Sequence, residues 1–362
     1  MSPQPPPPGA GAIFPALDAL LADELDAKTF RSYINSLNRR FDIYASTCPE
    51  PLIAPGLIVT TETRIQSELY LPIADITAAF YRLYAAALTY PPILSSTPFH
   101  HSMSWADTFV EMPPFLQFSA NPALLLDKLL TERETLQEFL FWSFLPRRFY
   151  GSLGRYPVQQ NFVGEWLITV GKRPLHCLDA ACGTGEETYA LALLLSEQGF
   201  APEQICIKGW TLEPLEVWVA AHIRFPHDLR REALLRDVAT ALFQRGYDRS
   251  ISFCCRDILT IPSATESPME MCGSAVIDKN RFDLILCNGL LGGPIIHDKK
   301  TVNQAVGNLA KLLAPGGILL AADHFHGGWK QKCPQGELRA FLEHNGLKYV
   351  ETGEGVGGLK PD

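Results

Sequence analysis

The stretch Cys177–Ala190, CLDAACGTGEETYA, decides how this chain is read. An apolar run ends in Asp179. Two small residues and Cys182 lead into the turn Gly183-Thr184-Gly185. Two acids, Glu186 and Glu187, open an apolar helical pattern that continues through Leu195. The order is strand, tight glycine turn, helix. Glycine lets a ligand lie against bare backbone, and a helix start aims N–H groups at it. The residues after the turn exclude two common ligands. A phosphate loop would close on Gly-Lys-Ser/Thr, and a dinucleotide loop would run G-x-G-x-x-G. Here two neighbouring carboxylates stand at the helix start and repel pyrophosphate.

Acids suit a ligand that carries positive charge and hydroxyls. S-adenosylmethionine (SAM) is such a ligand, with an ammonium, a sulfonium and a ribose. The stretch resembles the first SAM-binding motif of class I methyltransferases. More narrowly, ACGTGEETYALA resembles the A-x-x-T-G-E-E-x-Y-S-x-A string of the CheR family, the chemotaxis-receptor glutamate methyltransferases. Thr184, Gly185, Glu186, Glu187, Tyr189 and Ala192 carry the match. The resemblance implies a Rossmann-like α/β sheet with helices on both faces, with SAM as methyl donor and S-adenosylhomocysteine as product.

Composition bounds the rest. At 362 residues the chain has room for two domains. The net charge of −8 is spread over both halves, so neither offers the basic face of a nucleic-acid binder. No apolar run reaches the ~18 residues of a membrane span. The start, MSPQPPPPGAG, lacks the basic and apolar regions of a signal peptide, and a cytoplasmic protein is expected. Of nine cysteines, all but Cys48 lie from Cys177 onward, without CxxC spacing. Buried thiols in a reducing compartment are expected, and no metal site.

Residues 1–12 read as a disordered proline-glycine tail. Residues 13–145 read as a helical N-terminal domain that caps the catalytic part and shapes its substrate site. Apolar spacing predicts a helical stretch over 13–46, a helix after Pro72, a proline- and aromatic-rich loop over Pro91–Pro114, and helices over Asn121–Leu130 and Glu132–Leu145. Residues 146–176 form a junction, expected as linker and lid, with a helix over Gln159–Val170. From 177 to 362 strands alternate with helices, which implies a parallel sheet covered on both faces. Strands are expected at Cys177–Asp179, Ile205–Leu212, Ser250–Arg256, Phe282–Cys287, Ile318–Asp323 and Leu347–Glu351. After the last of these, GEGVGGLKPD offers no clear seventh, antiparallel strand. Either the chain is truncated there or another segment finishes the sheet.

In such a sheet ligands bind at the carboxyl ends of the strands. The resemblance then implies a SAM site residue by residue. Asp179, Ala181, Cys182, Gly183, Thr184, Gly185, Glu186 and Glu187 meet the methionine part. The family places an acid for the ribose hydroxyls where this chain has Thr211, so Glu213 would have to reach from two residues on. Equally, Glu213-Pro214 could cap the following helix. Asp257 and Ile258 match the adenine position. Asn288 and Gly289, in FDLILCNGLLGG, stand where SAM and acceptor meet.

Methyl transfer from a sulfonium needs an acceptor that is close, aligned and dehydrated. A neutral amine or hydroxyl also needs a base, whereas a carboxylate needs none. His297 and His324 lie near strand ends and are candidates, beside His326. The family's FFR arginine is replaced by Phe149-Tyr150-Gly151, so Arg148 or Arg155, with Tyr156, would have to serve instead. The family's small β subdomain between the second and third strands is replaced by the helix DLRREALLRDVATALF. No basic helix for an acidic receptor stands in the N-terminal part. A methyltransferase for a small-molecule acceptor is therefore the expectation. A CheR-type protein carboxyl methyltransferase and a non-catalytic SAM-binding scaffold remain as alternatives.

Overall fold

The computed structural model describes residues 16–49, 51–52, 58–145, 153–260, 281–293, 295–322 and 333–362. By compactness the chain divides into two units. One takes in Pro15–Arg148 and Phe225–Leu229, the other Phe149–Arg224 and Arg230–Asp362.

The first unit is helical. Its helices are α1 (Leu17–Leu20), α2 (Arg31–Thr47), α3 (Thr61–Tyr70), α4 (Ile73–Ala87), α5 (Pro98–His101), α6 (Trp105–Glu111), α7 (Pro122–Thr131) and α8 (Arg133–Phe144). The apolar pattern over 13–46 is not one helix among the described residues. Leu21 leaves the helix to bridge Leu88, and Asp26 caps a separate turn, Ala27–Phe30, before α2 starts. The stretch expected as a loop over Pro91–Pro114 holds α5 and α6. Ser104 caps α6 by accepting from the Asp107 amide, a cap signal that the surrounding prolines mask. An aromatic cluster fills the core: Phe80 stacks on Phe99 at 4.6 Å, and Tyr84 on Phe139 at 5.8 Å.

Among the described residues the second unit is built on seven strands: β1 (Leu175–Asp179), β2 (Ile205–Thr211), β3 (Ile251–Cys255), β4 (Phe282–Leu286), β5 (Leu313–Ala321), β6 (Lys348–Val350) and β7 (Val356–Leu359). Their order is β3-β2-β1-β4-β5-β7-β6, with β7 antiparallel to both neighbours and β1 to β5 mutually parallel. Between the strands run α10 (Glu186–Glu197), α11 (Pro214–His222), α12 (Leu229–Gln244), α13 (Lys299–Leu312) and α14 (Gln335–His344); α9 (Pro157–Val170) precedes β1. The short, almost wholly buried runs LHCLD and FDLIL form the centre. They are apolar on both faces because helices cover both. Leu178, Ile285 and Leu319 meet Val302, Val306 and Leu309 of α13 and Leu342 of α14. On the other face Tyr189 of α10 packs at 5.7 Å on Phe253 of β3 and donates to the Ala220 carbonyl of α11 at 2.9 Å. This strand order, with its one reversed strand, is the class I methyltransferase fold.

Two expectations need correction. The segment VGGL does form the seventh strand, so the sheet is finished from within GEGVGGLKPD. Strand propensity hides it because glycine is a poor strand former. Here glycine is what the position demands. A Cβ on Gly358 would stand 2.9 Å from the Leu347 side chain, and one on Gly357 would stand 2.8 Å from that of Thr352. Also, the fifth strand, expected at Ile318–Asp323, runs over Leu313–Ala321 and takes in Pro315-Gly316-Gly317, where the register with β4 shifts. The helix of the stretch read as linker and lid, α9, lies in the sheet-bearing unit.

Candidate functional site

The site is assembled where β1, β2, β3 and β4 end. Asp179 closes β1 and is fully buried. It accepts from the Thr188 hydroxyl at 2.7 Å and from the Ala181 amide at 3.4 Å. The turn then reverses through Gly183 and Gly185, with φ of 51° and 92°. Gly185 is required twice over. Its φ is left-handed, and a Cβ there would lie 3.0 Å from Ala220 and 3.2 Å from the Phe253 ring. The motif assigns this glycine to the ligand alone; its packing against α11 and β3 is an additional reason. Cys182 is buried with its amide donating to the Trp210 carbonyl at 3.0 Å, and burial pushes its thiol well above the ordinary range.

The two acids of the turn face different surroundings. Glu186 is tied up by Arg231 of α12, whose Nε donates to Oε1 at 2.5 Å, while the Thr184 hydroxyl donates to Oε2 at 2.6 Å. Glu187 turns toward β4 and accepts from the Asn288 amide at 2.9 Å. Burial pushes its carboxyl up to about 8, with Asp179 repelling it and Asn288 and Arg155 drawing it down. Burial likewise pushes Asp179 to about 6, eased by hydrogen bonds from Thr188 and Ala181 and reinforced by repulsion from Glu186. Two carboxyl groups thus share one desolvated corner, and a cation there would relieve both.

Asn288, the residue expected at the meeting of donor and acceptor, has a side chain that is a fully used joint. It exchanges two hydrogen bonds with Gln159 of α9, at 3.0 and 2.7 Å, donates to Glu187, and accepts from the Ala322 amide at 2.8 Å. Gln159 is itself held because Glu354, just ahead of β7, accepts from the first amides of α9 at 3.0 and 3.1 Å. Gly289 follows with φ of 71°, and the Arg155 guanidinium lies about as near as ordinary van der Waals contact with a Cβ built there, 3.8 Å. Tyr156 is buried, 5.3 Å from that guanidinium. With Gln159, Val163, Glu187, Leu191 and Asn288 it lines a narrow cleft. Arg155, Tyr156, Glu187, Asn288 and Gly289 are therefore gathered at one strand end.

At the end of β2 the two readings of Glu213 meet the geometry. One carboxyl oxygen accepts from the Leu215 amide at 3.2 Å and caps α11. The Thr211 hydroxyl accepts from the Glu213 amide at 3.3 Å and donates to Glu216. Glu216, buried on the first turn of α11, brings a second carboxylate to this strand end. Sequence reasoning misses it by looking two residues past the strand rather than one helical turn further. At the end of β3, Asp257 accepts from the Leu259 amide at 2.8 Å, and Ile258 is buried. His297 lies beside Asp298, the residue that caps α13. His324 and His326 lie outside the described residues, as do Arg148, Phe149, Tyr150 and Gly151.

No family model matches the chain. A probable biofilm formation methyltransferase of Pseudomonas putida, WspC, is 27% identical over 157 residues, covering 41% of this chain and 34% of that protein. The chain thus spans about a third of the length of the curated relative it matches. Among solved structures, the N-methyltransferase NodS of Bradyrhizobium japonicum, in complex with S-adenosylhomocysteine, is 16% identical with a TM-score of 0.38, over 63% of this chain and 98% of that one. CalS10, an amino pentose methyltransferase from Micromonospora echinaspora solved with SAM bound, is 18% identical with a TM-score of 0.28, over 46% and 50%. Neither score reaches 0.5, and it is the strand order, not these overlays, that defines the fold. Among the described residues, no helix is long and apolar enough to cross a membrane.

Proposed function

We propose that this protein is a SAM-dependent methyltransferase acting on a small-molecule acceptor. The observation that carries the reading is the pair Asp179 and Glu187. Two carboxyl groups, held above their usual range chiefly by burial, with Asp179 also repelling Glu187, flank a glycine turn in a class I methyltransferase sheet. SAM fits this donor set. Its ammonium and sulfonium answer the two acids, and the left-handed turn leaves backbone bare for its methionine part. When bound, SAM supplies an electrophilic methyl group.

The chain's own residues do the rest. Asp179 and Glu187 hold the cationic end. Glu213 and Glu216, either side of Pro214 and Leu215, offer carboxylate oxygens to the ribose hydroxyls, with Thr211 orienting Glu216. Asp257 and Ile258 take the adenine edge. Asn288 does not touch the donor through its side chain in this reading; it keeps Glu187 in position. Arg155 and Tyr156 bound the acceptor side and exclude water. His297, next to the residue that caps α13, is the candidate base among the described residues. The match to WspC supports the methyltransferase reading; the CheR-type string at the glycine turn keeps a protein carboxyl acceptor as the second reading.

Calorimetric titration of the full chain with SAM and with S-adenosylhomocysteine tests the proposal. Saturable one-to-one binding that Glu187→Gln weakens at least about tenfold is expected, since a buried charged partner is lost. Absence of binding by the folded wild type would refute it.

A further inference from the structure

Glu186 and Glu187 are adjacent and chemically identical, yet only one is left facing the strand ends. The difference traces to Arg231. It stands in α12, the helix that replaces the small β subdomain of the CheR-type pattern. Its guanidinium reaches across to the turn. Nε donates to Glu186 Oε1 at 2.5 Å, and Nη2 donates to the Thr184 hydroxyl at 2.5 Å while also pairing with Glu186. Thr184 in turn donates to the other Glu186 oxygen at 2.6 Å. The side chains are nearly buried, 13% exposed for Arg231 and 9% for Glu186. A buried, forked, charge-assisted arrangement of this kind fixes orientation as well as charge.

We propose that Arg231 is the positioning residue of the methyl-donor site, an inference that rests on the reading of that site as a SAM site. It grips the turn on both sides of Gly185, through Thr184 before it and Glu186 after it. The left-handed residue between them then has one curvature. The grip also gives Glu186 a guanidinium partner of its own, although its charge still bears on Asp179 and Glu187. Of the three acids clustered at the end of β1, Asp179 and Glu187 remain to meet a ligand that carries two cationic centres. Glu186 is therefore a structural counter-ion and Glu187 the ligand-facing acid, although the motif alone does not distinguish them. Arg231 acts through the turn and does not touch the donor.

The test is a set of SAM titrations on the full chain: wild type, R231Q, R231K, E186Q and the double variant, each with an unliganded melting curve. R231Q is expected to weaken SAM about ten- to hundredfold, the scale on which a small misplacement acts. R231K should recover only part of that loss, because one ammonium cannot span Thr184 and Glu186. E186Q should weaken binding in the same direction, and the double variant should be no worse than R231Q. Wild-type-like affinity in R231Q overturns the proposal. So do losses that multiply in the double variant, which would mean that Glu186 meets the donor directly. If R231Q does not fold, E186Q and R231K decide: wild-type affinity in both overturns the proposal. If the wild type itself takes up no SAM, the methyltransferase reading fails with it, and that result appears before any variant is compared.

Discussion

The two units bury polar groups in opposite ways. In the helical unit the named buried polar groups are neutral and paired. The Tyr84 hydroxyl donates to Ser143 at 2.9 Å, the Trp105 indole to the Ala120 carbonyl at 2.7 Å, and the Asn121 amide to Asn38 at 2.8 Å. At the end of β1, by contrast, two acids are buried within each other's field, and both are pushed upward. The first arrangement uses polarity to fix a core. The second keeps free energy in reserve, to be released when a cation arrives.

Substitutions separate the two arrangements, and the largest effect is expected in the helical core. Phe139→Ala removes a ring that packs on Phe80, Tyr84, Phe99 and Trp142. Denaturant unfolding should show a loss of about 3–5 kcal/mol. A loss below about 1 kcal/mol would mean that the aromatic cluster does not hold this unit. Next comes Gly355→Ala, at φ of 81°, where a Cβ collides with the Ala321 carbonyl. A cost of about 2–4 kcal/mol is expected from strain and overpacking combined, read as a lowered melting temperature.

Glu187→Gln should have the opposite sign. Its folded carboxyl lies near 8, above the ordinary 4.5, so the folded state holds the proton more tightly than the unfolded one. Stability without ligand therefore falls as pH rises from about 4.5 through about 8. The amide escapes this fall. Above about pH 8, Glu187→Gln should be more stable than wild type by about 1–2 kcal/mol, a figure kept low because Asn288 loses a charged partner in the exchange. Equal wild-type stability at about pH 6 and about pH 9 would remove the contrast between the units. The same shift makes SAM binding release a proton at neutral pH, so affinity should rise with pH up to about 8 and level off above it. The smallest effect belongs to Tyr84→Phe. It deletes one neutral hydrogen bond and should cost about 1 kcal/mol. If it costs as much as Phe139→Ala, the hydroxyl matters more than the stacking.

The glycine turn and the alternation around it are legible because strand, turn and helix each leave a local signature in 177–195. The division of labour between Glu186 and Glu187 is not legible, because it is made by Arg231, 45 residues from Glu186 in sequence. Asn288 reads at the right strand end, but the partners of its side chain do not, since Gln159 and Ala322 come from distant elements. Glu216 escapes a sequence reading because its carboxylate reaches back from the helix to the strand end. In the helical unit the long periodic segments α4, α7 and α8 can be read, whereas α5 and α6 are too short to show a period and are set by caps.

The place of β7 in the sheet bears on the order of synthesis. This strand, the last of the seven in sequence, enters between β5 and β6, both made before it. The edge of β5 must stay open until those residues are available, and an open edge is where strands from other chains can add. The residue just ahead of β7, Glu354, is also the one that holds the start of α9 and so seats Gln159 against Asn288 and Glu187. The donor corner is therefore finished by a residue made after every other member of it, and a nascent chain stalled before residue 354 would carry the glycine turn without the wall behind it.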